Sequence, residues 1–294
     1  MSENGNNSGN SEGNNEMDGN SSREKVPQEP AIVYNNIDVE TELESLVKLL
    51  DGKIYKEEEI AMEELHQYLI EDDGCWALSD NFLTFVGRVL RDAAFSSTTR
   101  VHLIRILAYA ALKDDVIILL HQDRRDHTLM NFANDFDKHS PEEQQAWGIF
   151  ICNLFANPSP SEWLLYISEW ENNNQTLSNI RITTKVTVHC VLSSCPTLKN
   201  IGTSILFNLA IKEVKTVVFD DVAVEVAMAI LQFFTSSPNE EQVFKALKAL
   251  VRFMEVSNDV GQFIQMIGPH PKMFAGMSER VDELVNFVTS KVPV

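Results

Sequence analysis

Two amides stand where Leu or Ala would be the easier choice. Asn153 lies within AWGIFICNLFANPS and Asn208 within NIGTSILFNLAI, each inside an apolar run of helical period. A side-chain amide offers a donor and an acceptor together, the pair needed to hold the backbone of an extended peptide without reading its side chains. Overlaying ILAYAA, FICNLF, ILFNLA and ALVRFM puts Tyr109, Asn153, Asn208 and Arg252 in one column, at intervals of 44, 55 and 44 residues. One and two turns earlier lie Arg105 and His102 in the first copy and Lys248 and Lys245 in the last. The column predicts a polar-lined peptide groove built from Arg105, Tyr109, Asn153, Asn208, Lys245, Lys248 and Arg252. The same amides have a plainer reading, in which each bonds a neighbouring helix end and fixes the register between repeats.

Residue types that do covalent chemistry are not arranged for it. The sequence has no GxSxG elbow, Gly-rich phosphate loop or HExxH, and its nearest nucleophile set is His189, Cys190 and Cys195. Neighbouring helical residues point about 100° apart and no third group is evident, so a non-enzymatic protein is expected. His121, His127 and His139 lack ligand spacing, and the four cysteines form no CxxC pair. Neither metal, cofactor nor disulfide is expected. Trp163 and Trp170, seven apart, are read as one face of a short packing helix rather than a base-stacking platform. DDGCW at 72–76 is read as a loop with an anchoring aromatic, and the sequon at Asn174 as unmodified.

The elements that would position the column are helices. TELESLVKLL, KEEEIAMEELHQYLIE and SDNFLTFVGRVLRDAA place apolar residues three and four apart, with charge opposite. Ser79 is a candidate cap, Ser140 with Glu143 is a capping box, Pro238 stands two before Glu240 at a helix start, and Pro158, Pro160 and Pro196 are read as helix ends. RITTKVTVHCVL, residues 181–192, is rich in β-branched residues, yet no partner strand is evident and it is read as helix. About a dozen helices follow. Residues 1–44 hold ten acidic and two basic residues in an Asn/Ser/Gly-rich background and are read as a disordered tail. Within them AIVYNNI, residues 31–37, is a candidate docking segment. The fold class is therefore all-α, an armadillo/HEAT-like helical solenoid over residues 45–294, since such repeats recur every 40–47 residues or so.

Charge limits the partners. The chain carries −19, of which the tail holds −8 and the remainder −11. Non-specific nucleic-acid binding and an anionic membrane surface are both disfavoured. The longest apolar stretch is interrupted by Asp220, Asp221 and Glu225, which excludes a membrane span. With no signal sequence read at residues 2–24, a cytoplasmic or nuclear location is expected.

The phrases CNLF, NIGTSILFNLAI, VAMAILQFF and EEQVFKALKALVRFMEVSNDVGQFIQMIG, with LVKLLDGKIYKEEEIAMEELHQYL before them, resemble the PUL domain of the phospholipase-activating protein and its ubiquitin-pathway relatives. The resemblance covers residues 46–294. It implies an armadillo-like adaptor whose groove holds the acidic, tyrosine-ended C-terminal tail of the valosin-containing AAA ATPase, linking that segregase to ubiquitin-dependent turnover. Of two basic groove positions in the family, one is matched by Lys245 after Phe244, and the other is Ile149. The family's ubiquitin-binding propeller and its companion module have no counterpart here, so the resemblance implies the segregase-facing half alone. An acidic ligand would need a basic patch within a Debye length of about 8 Å, which Lys245, Lys248, Arg252, Arg105 and Arg100 would have to supply. The other expectation is a helical-repeat scaffold for a different protein partner.

Overall fold

The computed structural model describes residues 29–71, 78–214, 216–267 and 270–292. The DDGCW loop, Cys75 and residues 1–28 of the tail lie outside the described residues. Among those described, helices dominate: α1 (Val39–Leu50), α2 (Lys56–His66), α3 (Asp80–Arg91), α4 (Ser97–Ala110), α5 (Ile117–Asp123), α6 (Thr128–Asn134), α7 (Pro141–Asn153) and α8 (Pro158–Leu164) come first. A hairpin follows, β1 (Glu169–Asn172) and β2 (Gln175–Ser178), and then α9 (Asn179–Leu192), α10 (Pro196–Ile211), α11 (Ala223–Phe234), α12 (Glu240–Val256), α13 (Asn258–Met266) and α14 (Glu279–Lys291). The fold is an all-α helical solenoid.

Its helices make two layers. One is the ladder α1, α4, α7, α10, α12, α14, each helix packed on the next, and the other runs through α3, α5, α6, α9, α11 and α13. A continuous apolar core lies between them, with Leu46, Phe82, Ile104, Trp147, Phe150, Ile205, Phe234 and Phe253 fully buried. At about 25 cal/mol per Å² of apolar surface removed from water, this shared core is what stabilises helices too short to stand alone.

Local chemistry sets the ends of the ladder helices. Ser140 and Glu143 close the expected capping box on α7, and Asn239 with Gln242 makes a second on α12. Pro141, Pro158 and Pro196 each open a helix, so Pro158 and Pro196 mark starts rather than ends. Ser79 precedes α3, yet its hydroxyl donates to Glu64 at 2.9 Å instead of capping. The β-branched run 181–192 is helical, as expected, because its threonines find carbonyls within reach: Thr187 donates to Thr183 O at 2.7 Å and Thr183 to Leu164 O at 3.0 Å.

Two expectations need correcting. Helix α1 begins at Val39 and residues 29–38 lead into it without helix or strand, so residues 29–44 are part of the fold and not of a disordered tail. Trp163 and Trp170 do not share a helix: Trp163 is in α8, and Trp170 is in β1 of the hairpin, stacked on His127 at 3.9 Å with its indole N–H on Asn131. The turn is made by Asn173 and Asn174, both at positive φ, 50° and 60°, which Asn tolerates and which a two-residue hairpin requires.

One buried acid gives the fold a pH dependence. Asp123 is 1% exposed; Oδ1 accepts the Leu129 N–H at 3.0 Å at the start of α6, and Oδ2 is buried without a partner. Burial pushes its carboxyl up to about 7 from an ordinary value of 3.8, against the opposing backbone N–H groups. The folded chain thus keeps a proton that the unfolded chain gives up, so the stability from this group is full below pH 3.8 and is lost as pH rises to about 7. Between pH 5 and 7.5 the loss should be about 2–3 kcal/mol, read as a falling urea midpoint. Asp123→Asn, which keeps the acceptor, should flatten that profile.

Candidate functional site

The trough between the ladder helices is filled by the protein's own chain. Residues 29–38 cross α12, α10 and α7 in that order, against the direction of the repeats, and then enter α1, which packs on α4. We refer to this segment as the strap. Asn208 Oδ1 accepts the Ile32 N–H at 2.7 Å, and Asn208 Nδ2 donates to Ile32 O at 2.8 Å. Asn153 repeats the arrangement two residues on, accepting the Tyr34 N–H at 2.7 Å and donating to Tyr34 O at 2.9 Å. Both amides are fully buried.

Each amide also has a second duty, a tie to the previous ladder helix. The remaining Asn153 N–H donates to Ala108 O at 2.8 Å, a carbonyl in the last turn of α4 that has no partner further along its helix. Asn208 Nδ2 similarly lies 3.4 Å from Cys152 O in the last turn of α7. One N–H thus ties a ladder helix to the previous one, while the rest of the amide clasps the strap.

Smaller groups complete the seat. The Cys152 thiol donates to Ile32 O at 3.2 Å, and burial, which pushes it up to about 12, keeps it protonated. The Tyr34 hydroxyl pairs with Ser204 Oγ at 3.3 Å, and burial likewise raises Tyr34 above the usual phenol range. Lys245 reaches the same Ser204 Oγ at 3.4 Å. At the strap's other end Glu29 pairs with Lys248 at 2.7 Å. Beside the strap a cavity of about 410 Å³ is bordered by Pro30, Val33, Phe155, Pro158 and Lys212.

The remaining predicted residues divide. Tyr109 packs half-buried against the core at the end of α4, one residue beyond the carbonyl that Asn153 holds. Arg252 donates to Val214 O at 3.5 Å and pairs with Glu255 at 3.7 Å. Arg105 is not a trough cation: with His102 it is taken up by Glu42 of α1, at 3.1 Å and 2.5 Å. Arg100 pairs with Glu143. The basic patch therefore contracts to Lys245 and Lys248 at one end of the strap, and Lys245 is itself shared with Glu241 at 3.3 Å. Ile149 is half-buried against the core.

Other groups singled out in the sequence have structural partners. His189 presents its ring edge-on to Phe136 at 5.1 Å, and His139 stacks on Phe132 at 3.9 Å. No cluster of three or more His, Cys, Asp or Glu placed to hold a metal ion, and no helix long and apolar enough to cross a membrane, occurs among the described residues.

Fold and site together define a helical-repeat protein with an extended segment of polypeptide bound across its ladder. No protein-family model matches the chain, and no curated protein sequence matches it. Among solved structures it is similar to the crystal structure of an engineered protein from the Northeast Structural Genomics Consortium, at 14% identity and a TM-score of 0.53, over 85% of this chain and 96% of that one. That likeness concerns the fold alone.

Proposed function

We propose that this protein is a non-enzymatic adaptor whose trough binds an extended segment of a partner, and that the partner is the acidic, tyrosine-ended C-terminal tail of the valosin-containing AAA ATPase. Such an adaptor would link that ATPase to ubiquitin-dependent turnover in the cytoplasm or nucleus. The observation that carries the reading is the paired grip of Asn208 and Asn153 on the backbones of Ile32 and Tyr34. A surface that holds one extended segment by its main chain is suited to others, because the amides read no side chain. Lys248 on Glu29 and Ser204 on Tyr34 supply places for an acidic residue and a phenol, the two features of the ATPase tail.

Titrating the tail peptide against the full chain should give saturable binding, about tenfold weaker for Lys245→Glu, the scale of one charge-assisted contact. Equal affinity in the two proteins would remove the trough from the interaction. Ile149, and the carboxylates already on Lys245 and Arg252, favour a second reading in which the solenoid is a scaffold for a different protein partner. Affinity capture that returns another protein reproducibly, with no ATPase and with loss on Lys245→Glu, would select it.

A further inference from the structure

The strap is more than a covering of the trough. Its sequence, EPAIVYNNID over residues 29–38, meets the trough at Glu29, Ile32 and Tyr34. Alternate residues of an extended chain direct their N–H and C=O groups the same way, and the two Asn residues meet Ile32 and Tyr34, one helix step apart. One further step back reaches Pro30, which has no N–H to satisfy, and the column residue on α12 is Arg252 rather than an amide. One step forward reaches Asn36, which is exposed, where the column residue on α4 is Tyr109. The strap thus offers backbone donors where the ladder has acceptors and omits one where it has none. Its acidic end meets Lys248 and its phenol meets Ser204.

The strap is held weakly enough to leave. Asn35 and Asn36 are exposed, Ile32, Val33 and Tyr34 are only partly buried, and Glu29 is nearly half exposed. Against these stand four amide hydrogen bonds, each contributing about 0.5–1.5 kcal/mol net, the Cys152, Ser204 and Lys248 contacts, and the local concentration created by a short tether to α1, which is of millimolar order.

We infer that residues 29–38 are a built-in ligand, and that the trough selects outside partners by the strap's own pattern: an extended segment with an acidic residue and, after four spacers, a tyrosine. This rests on the proposed peptide-binding role of the trough and narrows it. The strap sets the threshold, because an incoming segment binds only in the fraction of molecules whose strap is off, and its apparent affinity falls by that fraction.

The test uses the full chain and a fluorescent peptide of residues 29–38. Ile32→Pro with Tyr34→Pro removes both N–H donors of the strap and alters no residue of the trough. The doubly substituted protein should bind the peptide at least tenfold more tightly than wild type, and a peptide with Lys in place of the glutamate or Ala in place of the tyrosine should bind it at least fivefold more weakly. Glu29→Lys in the full chain, a surface change that spares the fold, should raise peptide affinity in the same sense by a smaller factor. Hydrogen exchange adds an independent reading: the Ile32 and Tyr34 amides should be slow in wild type and fast in the double variant, while those of α7 and α10 stay slow. Equal peptide affinity in wild type and both variants, no binding to either variant, or indifference to the acidic and phenolic positions would each overturn the inference. If the strap peptide binds the released protein and the ATPase tail peptide does not, the built-in ligand stands and the ATPase reading falls.

Discussion

Gly202→Ala should lower the melting temperature by about 10 °C, the largest effect expected of an added methyl at any described glycine. Gly202 lies in α10 where that helix crosses the end of α9, and a Cβ there would stand 2.6 Å from Val191 N and 2.9 Å from Cys190 C. Both are backbone atoms inside a helix, so neither can swing aside as a side chain would, and relief requires moving α9 bodily. Overpacking costs about 1–3 kcal/mol, and a clash with backbone alone belongs at the upper end; for a domain of this size each kcal/mol shifts the midpoint by about 2–4 °C. Gly261→Ala is the matching control: its Cβ would meet only Val292 Cγ2, at 3.6 Å, and the gain in helix propensity leaves it neutral or slightly stabilising. Comparable losses at both positions in thermal melts would mean that the α9–α10 approach does not set the Gly202 effect.

Asn153→Ala should cost about 3–4 kcal/mol, the sum of the Tyr34 pair and an acceptor, Ala108 O, left buried without its donor. Asn208→Ala should cost less, because its tie to the previous helix is longer, 3.4 Å to Cys152 O, while its hold on Ile32 is as short as that of Asn153 on Tyr34. The two variants therefore separate two duties of one residue type. Both should speed exchange of the Ile32 and Tyr34 amides, and only Asn153→Ala should also lower the urea midpoint steeply. Combining Asn153→Ala with Tyr34→Pro should give less than the sum of the single losses, since both remove the same contact. Strict additivity in that cycle would refute the contact.

What the sequence made legible follows from which interactions are local. Helical periods, the Ser140–Glu143 box and the amide column are written within a few residues or at repeat spacing, and these placed the ladder and both asparagines. A buried amide in an apolar run needs partners, so its presence signals a tertiary contact. The occupant was hidden because strap and amides are 119 and 176 residues apart, and no local pattern records a pairing at that range. AIVYNNI reads as a docking segment, but the Asn-rich residues before it extend the tail reading past it to 44, beyond the start of α1 at Val39. Arg105 was misplaced for a related reason: its position on the ladder face was sound, but Glu42 of α1 claims it, and α1 has no member in the column overlay. For Trp170, a seven-residue interval outweighed the Asn-Asn turn signal that in fact sets a hairpin.

That hairpin explains the irregular interval of the column. The step from Asn153 to Asn208 is 55 residues where its neighbours are 44, and the ten residues of Glu169–Ser178 nearly account for the difference. They rest on α6 through Trp170 and Asn172, which both bond Asn131, on the layer away from the strap. Extra chain has thus been absorbed with no change in the clasp of either asparagine. The Asn173–Asn174 turn is accordingly the place to splice in a reporter domain or an affinity epitope, leaving the peptide-holding face free for measurement.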